Sequence, residues 1–145
     1  RLASISAEYK KQLARIDPQK ALFVLVQELL NKYDKQKSLN WQLVIITREI
    51  WEPSQVFDEV VQTYLRPETE FVSSIIGKIT DQKPEAYQVR FAVISMLGLV
   101  ETFSLYGHLI DAIAPEIAGR FEKKGELAEH IVALVIRAAS FGNKG

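Results

Sequence analysis

An all-α fold, an antiparallel bundle of about seven to eight helices, is predicted by three observations in this sequence. Apolar residues recur at i, i+3 and i+4 in one segment after another, no segment alternates as a strand does, and each of the five prolines stands where a helix can begin. The last two long helices are further expected to form a four-helix interface between two copies of the chain.

Taken in order, a connecting helix is expected at about 2–15, and a second at 18–34 with Asp17 as its N-cap and Pro18 as its first residue. The second carries the stripe Leu22, Leu25, Val26, Leu29, Leu30 and Tyr33. A third is predicted at 40–51. Pro53, following Glu52, opens a fourth at 53–65 with the stripe Val56, Val60, Val61 and Tyr64. The pairs Pro67-Glu68 and Pro84-Glu85 open helices at 67–79 and 84–107, each with an acid that complements the helix dipole. Pro115-Glu116 marks a short turn at 115–122, and a final helix runs over 125–141. The longest loops are expected at 34–39 and 107–114, short enough to keep the helices in one domain spanning 1–145.

Composition narrows the function. A 48% hydrophobic content with 25% charged residues belongs to soluble globular proteins with a packed core, not to disordered chains. The absence of cysteine rules out disulfides, thiolate chemistry and cysteine-ligated metals. Eighteen basic and eighteen acidic residues cancel, so the surface lacks the basic field that phosphate contact demands. The chain opens at Arg1 without an initiator Met or a signal-peptide pattern, as a fragment of a longer protein would.

Two late stretches are more apolar than one core requires. The run FAVISMLGLVETFSLY at 91–106 carries a single charge, Glu101. The run LAEHIVALVIRAA at 127–139 spreads apolar side chains over roughly 200° of helix, where a core-facing helix needs about 100°. Neither offers the ~20 unbroken apolar residues of a membrane span, so no membrane is expected and a second copy is the natural cover. The residues assigned to that interface are Phe91, Ser95, Gly98 and Thr102 on one helix and Leu127, Ile131, Leu134, Val135 and Ala138 on the other. The small ones among them permit close helix contact.

Catalytic patterns are missing: no Gly-rich phosphate loop, nucleophile elbow or zinc motif occurs. His108 with Asp111 reads as a solvated pair at a helix end. Glu126, Glu129, His130 and Arg137 read as the polar arc of the last helix, without the Glu-x-x-His spacing of a di-metal bundle. No catalytic residue, metal or cofactor is assigned.

Arg48 invites a different reading. In WQLVIITREIW it falls among Trp41, Val44, Ile45 and Trp51, the apolar side of its helix, so its guanidinium is expected to point inward. Two roles suit a buried Arg: an ion pair with Glu52 or Asp58, or an anchor for the polar end of a small ligand between tryptophan walls. The aromatics Trp41, Trp51, Phe57, Tyr64, Phe71, Phe103 and Tyr106 recur on inner faces of the middle helices, as plain core or as walls of a cavity. All of them except Tyr106, with Ile45, Arg48 and Met96, form the candidate ligand site.

The segment TREIWEPSQVFDEVVQTYLRPETEFVSSIIG at 47–77 resembles the C-terminal regulatory domain of TetR-family transcriptional regulators. Its marks are Arg48 and Glu49 closing one helix, Pro53 and Ser54 opening the next, and a second proline at Pro67. The resemblance implies a cytoplasmic homodimer whose bundle takes a hydrophobic or amphipathic effector. It also implies a helix-turn-helix head before Arg1, through which alone DNA would be bound. Effector entering near residues 41–64 would then move the helix at 2–15 and change the spacing of two heads. Two rivals stand beside this: a helical dimerisation module with a filled core and no ligand, and, further off, an enzyme of a helical-bundle class.

Overall fold

The computed structural model describes residues 6–34, 48–120 and 124–142. Helices occupy most of these residues and no strand occurs among them. The first helix, α1 (Ala7–Ala14), is capped by Ser6, whose hydroxyl accepts the Tyr9 N–H at 3.2 Å. Asp17 caps α2 (Pro18–Asp34) in the same way, accepting the Lys20 N–H at 3.1 Å, and Pro18 takes the first helical position as predicted.

The prolines further along behave less uniformly. Pro53 and Pro84 lie in turns ahead of the helices they were expected to open: α3 (Phe57–Val60) starts four residues after Pro53, and α5 (Tyr87–Leu105) three after Pro84. Pro67 sits within a continuous helical run, because α3 passes through a π-turn (Val61–Leu65) directly into α4 (Arg66–Thr80). Backbone angles stay right-handed helical at Val60, Val61, Leu65 and Arg66, so there is no break.

The segment 107–114, expected as a loop, holds a seven-residue helix, α6 (Gly107–Ile113). Tyr106 stitches it to α5: its N–H donates to the Thr102 carbonyl at 3.0 Å and its carbonyl accepts from Ile110 at 2.9 Å. The helix axis turns by 81° there. Next come α7 (Pro115–Arg120), with Pro115 as its first residue, and α8 (Lys124–Ser140).

Four helices make the core. Each of α2, α4, α5 and α8 touches the other three, burying Leu22, Leu25 and Val26 against Ile75 and Ile76, Val89, Val93 and Met96, and Ile131 and Val135. Each such side chain contributes about 1.5–3 kcal/mol on burial. Ala21, Ala92, Ala128 and Ala139 are buried among them. The α4–α5 turn is fastened to the end of α8 by Gln82, whose amide donates to the Ala139 carbonyl at 2.8 Å.

Helix α1 is held differently. Its one buried residue is Leu13, and Lys10 reaches α4 with its Nζ 4.0 Å from Glu68 and 5.4 Å from the centre of the Phe71 ring.

Candidate ligand and partner faces

The turn between the helical residues 48–51 and α3 is built on a carboxylate. Glu49, 8% exposed, accepts from the Ser54 backbone N–H at 2.9 Å and from the Ser54 hydroxyl at 2.8 and 2.9 Å. The Ser54 hydroxyl also accepts the Val56 N–H at 3.3 Å. These bonds hold the Glu49 carboxyl below its ordinary range, the backbone N–H of Ser54 contributing most, its hydroxyl next, and the Arg48 charge less.

Arg48 itself is exposed, which corrects the expectation of an inward guanidinium. The polar group turned out of water is its neighbour Glu49, and no ion pair joins Arg48 to Glu52 or Asp58 among the described residues. Helical period placed Arg48 on the apolar side; a hydrogen bond five residues along the chain, invisible to periodicity, decided which side chain is sheltered.

The remaining candidates for a ligand fall into two groups. Phe71, Met96 and Phe103 join the core, Met96 completely buried and the two rings half-buried against it. Phe57 and Tyr64 are half-buried on the α3 and π-turn segment, and Trp51 stands 81% exposed. Trp41 and Ile45 lie outside the described residues. The structure therefore sets Phe71, Met96 and Phe103 in or against the core and leaves Arg48 and Trp51 exposed.

The residues assigned to a partner also divide. Phe91, Gly98, Thr102 and Leu134 are exposed, and Ser95 and Ala138 are half-buried. Leu127, Ile131 and Val135 are buried inside the subunit's own core, so they do not lie on an outer face. The wide apolar arc of α8 is spent mostly inward, against α2 and α5.

What remains outside is a continuous apolar face on α5 that includes residues the periodic reading passed over. Tyr87, Ile94 and Leu97 stand exposed beside Phe91, while Leu134 and Phe141 stand exposed at α8 and just beyond it. Tyr87 and Phe91 stack, with ring centres 6.1 Å apart. The signal was available by subtraction: once Val89, Ala92, Val93, Met96 and Val100 are given to the core, the apolar residues left on α5 mark its other side.

His108 and Asp111 are exposed on α6, as are Glu129 and His130 on α8. No group of three potential metal ligands occurs among the described residues. No single described helix is long and apolar enough to cross a membrane.

The described residues thus form a helical bundle with a packed four-helix core and an exposed apolar face on α5. Residues 18–139, from the first residue of α2 almost to the end of α8, match the family model described as HTH-type transcriptional dual regulator CecR, C-terminal domain, and the chain belongs to that family. This supports the resemblance to a TetR-like regulator C-terminal domain. No curated protein and no solved structure matches the chain.

Proposed function

We propose that this chain is the effector-binding and dimerisation domain of a TetR-like transcription regulator. It senses a small hydrophobic or amphipathic molecule, pairs with a second copy, and relays the binding event to a helix-turn-helix head preceding Arg1. The observation that carries this reading is the outer apolar face of α5 and α8, where Tyr87, Phe91, Ile94, Leu97 and Leu134 stand exposed. A contiguous face of that kind is a contact surface on a water-soluble domain.

The relay is supported by how α1 is attached. The Tyr9 hydroxyl is buried with no hydrogen-bond partner among the described residues, a cost of about 1–3 kcal/mol, and the Lys10 ion pair sits at 4.0 Å with both side chains partly in water. A helix held this lightly responds to small shifts of α4, on which Lys10 rests. The π-turn leading into α4 puts the candidate ligand segment one turn away from that contact.

A second reading, a dimerisation module with a filled core and no effector, is favoured by Met96, which is completely buried among core residues. Both tryptophans fall within 41–51, so their emission discriminates the two. Titration with anilinonaphthalene sulfonate should change Trp emission saturably and be reversed by a competing apolar molecule, with the dimer mass intact. Unsaturable binding would support the filled module.

A further inference from the structure

Helix α5 carries two charged residues, Arg90 and Glu101, and neither has an ion-pair partner among the described residues. They are eleven residues apart, three helical turns, so they stand about 16 Å apart along the axis and only about 20° apart around it. Tyr87, Ile94 and Gly98 lie on the same side of the helix, within about 80° of Arg90 around the axis. Glu101 is exposed. Arg90 is half-buried and fixed at one end: it donates to the Ser73 hydroxyl at 3.0 Å, and Ser73, fully buried, donates to the Thr69 carbonyl at 2.7 Å. One of five guanidinium donors is thereby used and the arginine is held in place, with no further hydrogen bond from it among the described residues.

We propose that these two charges set the register of the dimer: α5 packs antiparallel on α5 of a second copy, with Arg90 facing Glu101 of the partner subunit and Glu101 facing Arg90 of the partner subunit. The proposal rests on the dimer reading above and adds which residues meet. A two-fold axis perpendicular to the helices and passing between positions 95 and 96 exchanges positions 90 and 101, so both pairs form at once. Between them lie Phe91, Ile94, Leu97 and Gly98. A Cβ at Gly98 would have nothing within 4 Å in the subunit, so its bare backbone is free to accept a close approach. A parallel pairing would instead set Arg90 against Arg90 and Glu101 against Glu101, which like-charge repulsion disfavours.

The test is charge reversal in the full chain, read as the dimer dissociation constant from sedimentation over a dilution series, with helicity by circular dichroism as the folding control. Arg90→Glu alone and Glu101→Arg alone should each weaken the dimer at least tenfold. The double reversal should return it to within about threefold of the parent. Mixing the two single variants should give a heterodimer, since all four charges then pair with opposites. If Arg90→Glu loses helicity through its bond to Ser73, Arg90→Gln removes the charge alone and should weaken the dimer severalfold. A dimeric parent whose single reversals dissociate like the parent, or whose reversals are not rescued by the double variant or by mixing, overturns the register and leaves the dimer standing. A parent that stays monomeric at every concentration overturns both.

Discussion

The backbone N–H of Arg66 donates to the carbonyl of Val61, five residues back, immediately before Pro67. Proline has no N–H and its ring presses on the carbonyl four residues earlier, so a regular α-turn would be both short of a bond and crowded. Widening to a π-turn over Val61–Leu65 lets the helix continue, and the Thr69 hydroxyl donates to the Leu65 carbonyl at 2.8 Å. Pro67→Ala should let the segment relax to α-helix, rotating α3 by about 100° relative to α4. Stability should rise by about 1 kcal/mol, since a helix-interior proline is the least favourable residue there. Thermal unfolding checks the gain and Trp51 emission the rotation; a destabilised variant would mean that the π-turn is held by other contacts.

Gly77 closes α4 with no room for a side chain. A Cβ there would lie 2.6 Å from the Gln82 carbonyl oxygen, and the Asp81 and Gln82 N–H groups both converge on the Gly77 carbonyl. Gly77→Ala should cost about 1–3 kcal/mol, as overpacking against backbone does. Asp81, at φ 52°, occupies the left-handed position that glycine prefers, so Asp81→Gly should stabilise by a few tenths of a kcal/mol, to about 1. Urea unfolding of the two variants should move the midpoint in opposite directions.

Stability should also depend on Glu49 in a defined pH window. Because its folded carboxyl titrates below the ordinary value, its contribution is complete above the unfolded value and is lost as pH falls through the lowered folded one. Glu49→Gln should therefore be less stable than the parent near neutrality, and the gap should close as the solution is taken into strong acid. A gap that stays constant with pH would assign the effect to shape and not to charge.

The lightly held α1 gives a prediction of opposite sign. Tyr9→Phe removes a buried hydroxyl that has no partner among the described residues and should stabilise the domain by about 1 kcal/mol. Amide exchange in α1 should slow as well. Lys10→Ala should speed it by up to a few fold, the scale of a partly exposed ion pair. Unchanged exchange in both variants would remove this contact from the relay.

Much of the fold was legible because helices advertise their buried stripe. Leu22, Leu25, Val26 and Leu30 were read from spacing and are core residues, and Pro18 and Pro115 do begin helices. Pro67 stands at the start of its α-helix as read, but the π-turn that joins this helix to the preceding one without a break was not foreseen, and α6 was missed because seven residues are too few to show a period. The site was less legible. Surplus apolar arc tells that a helix has two covered sides but not which residue faces which, and so Ile131 and Val135 were assigned outward while the structure buries them. Arg48 and Glu49 exchanged roles for a related reason, a local hydrogen bond from Ser54 outweighing helical phase.

The central claim is that the outer face of α5 and α8 joins two copies of this chain. Light scattering on the parent and on Gly98→Glu across a dilution series tests it most directly. A dimer joined through this face gives a parent of about twice 16.5 kDa and a variant of the same helicity that falls to the monomer mass. A parent that is monomeric throughout, or a variant that dimerises as the parent does, would contradict it.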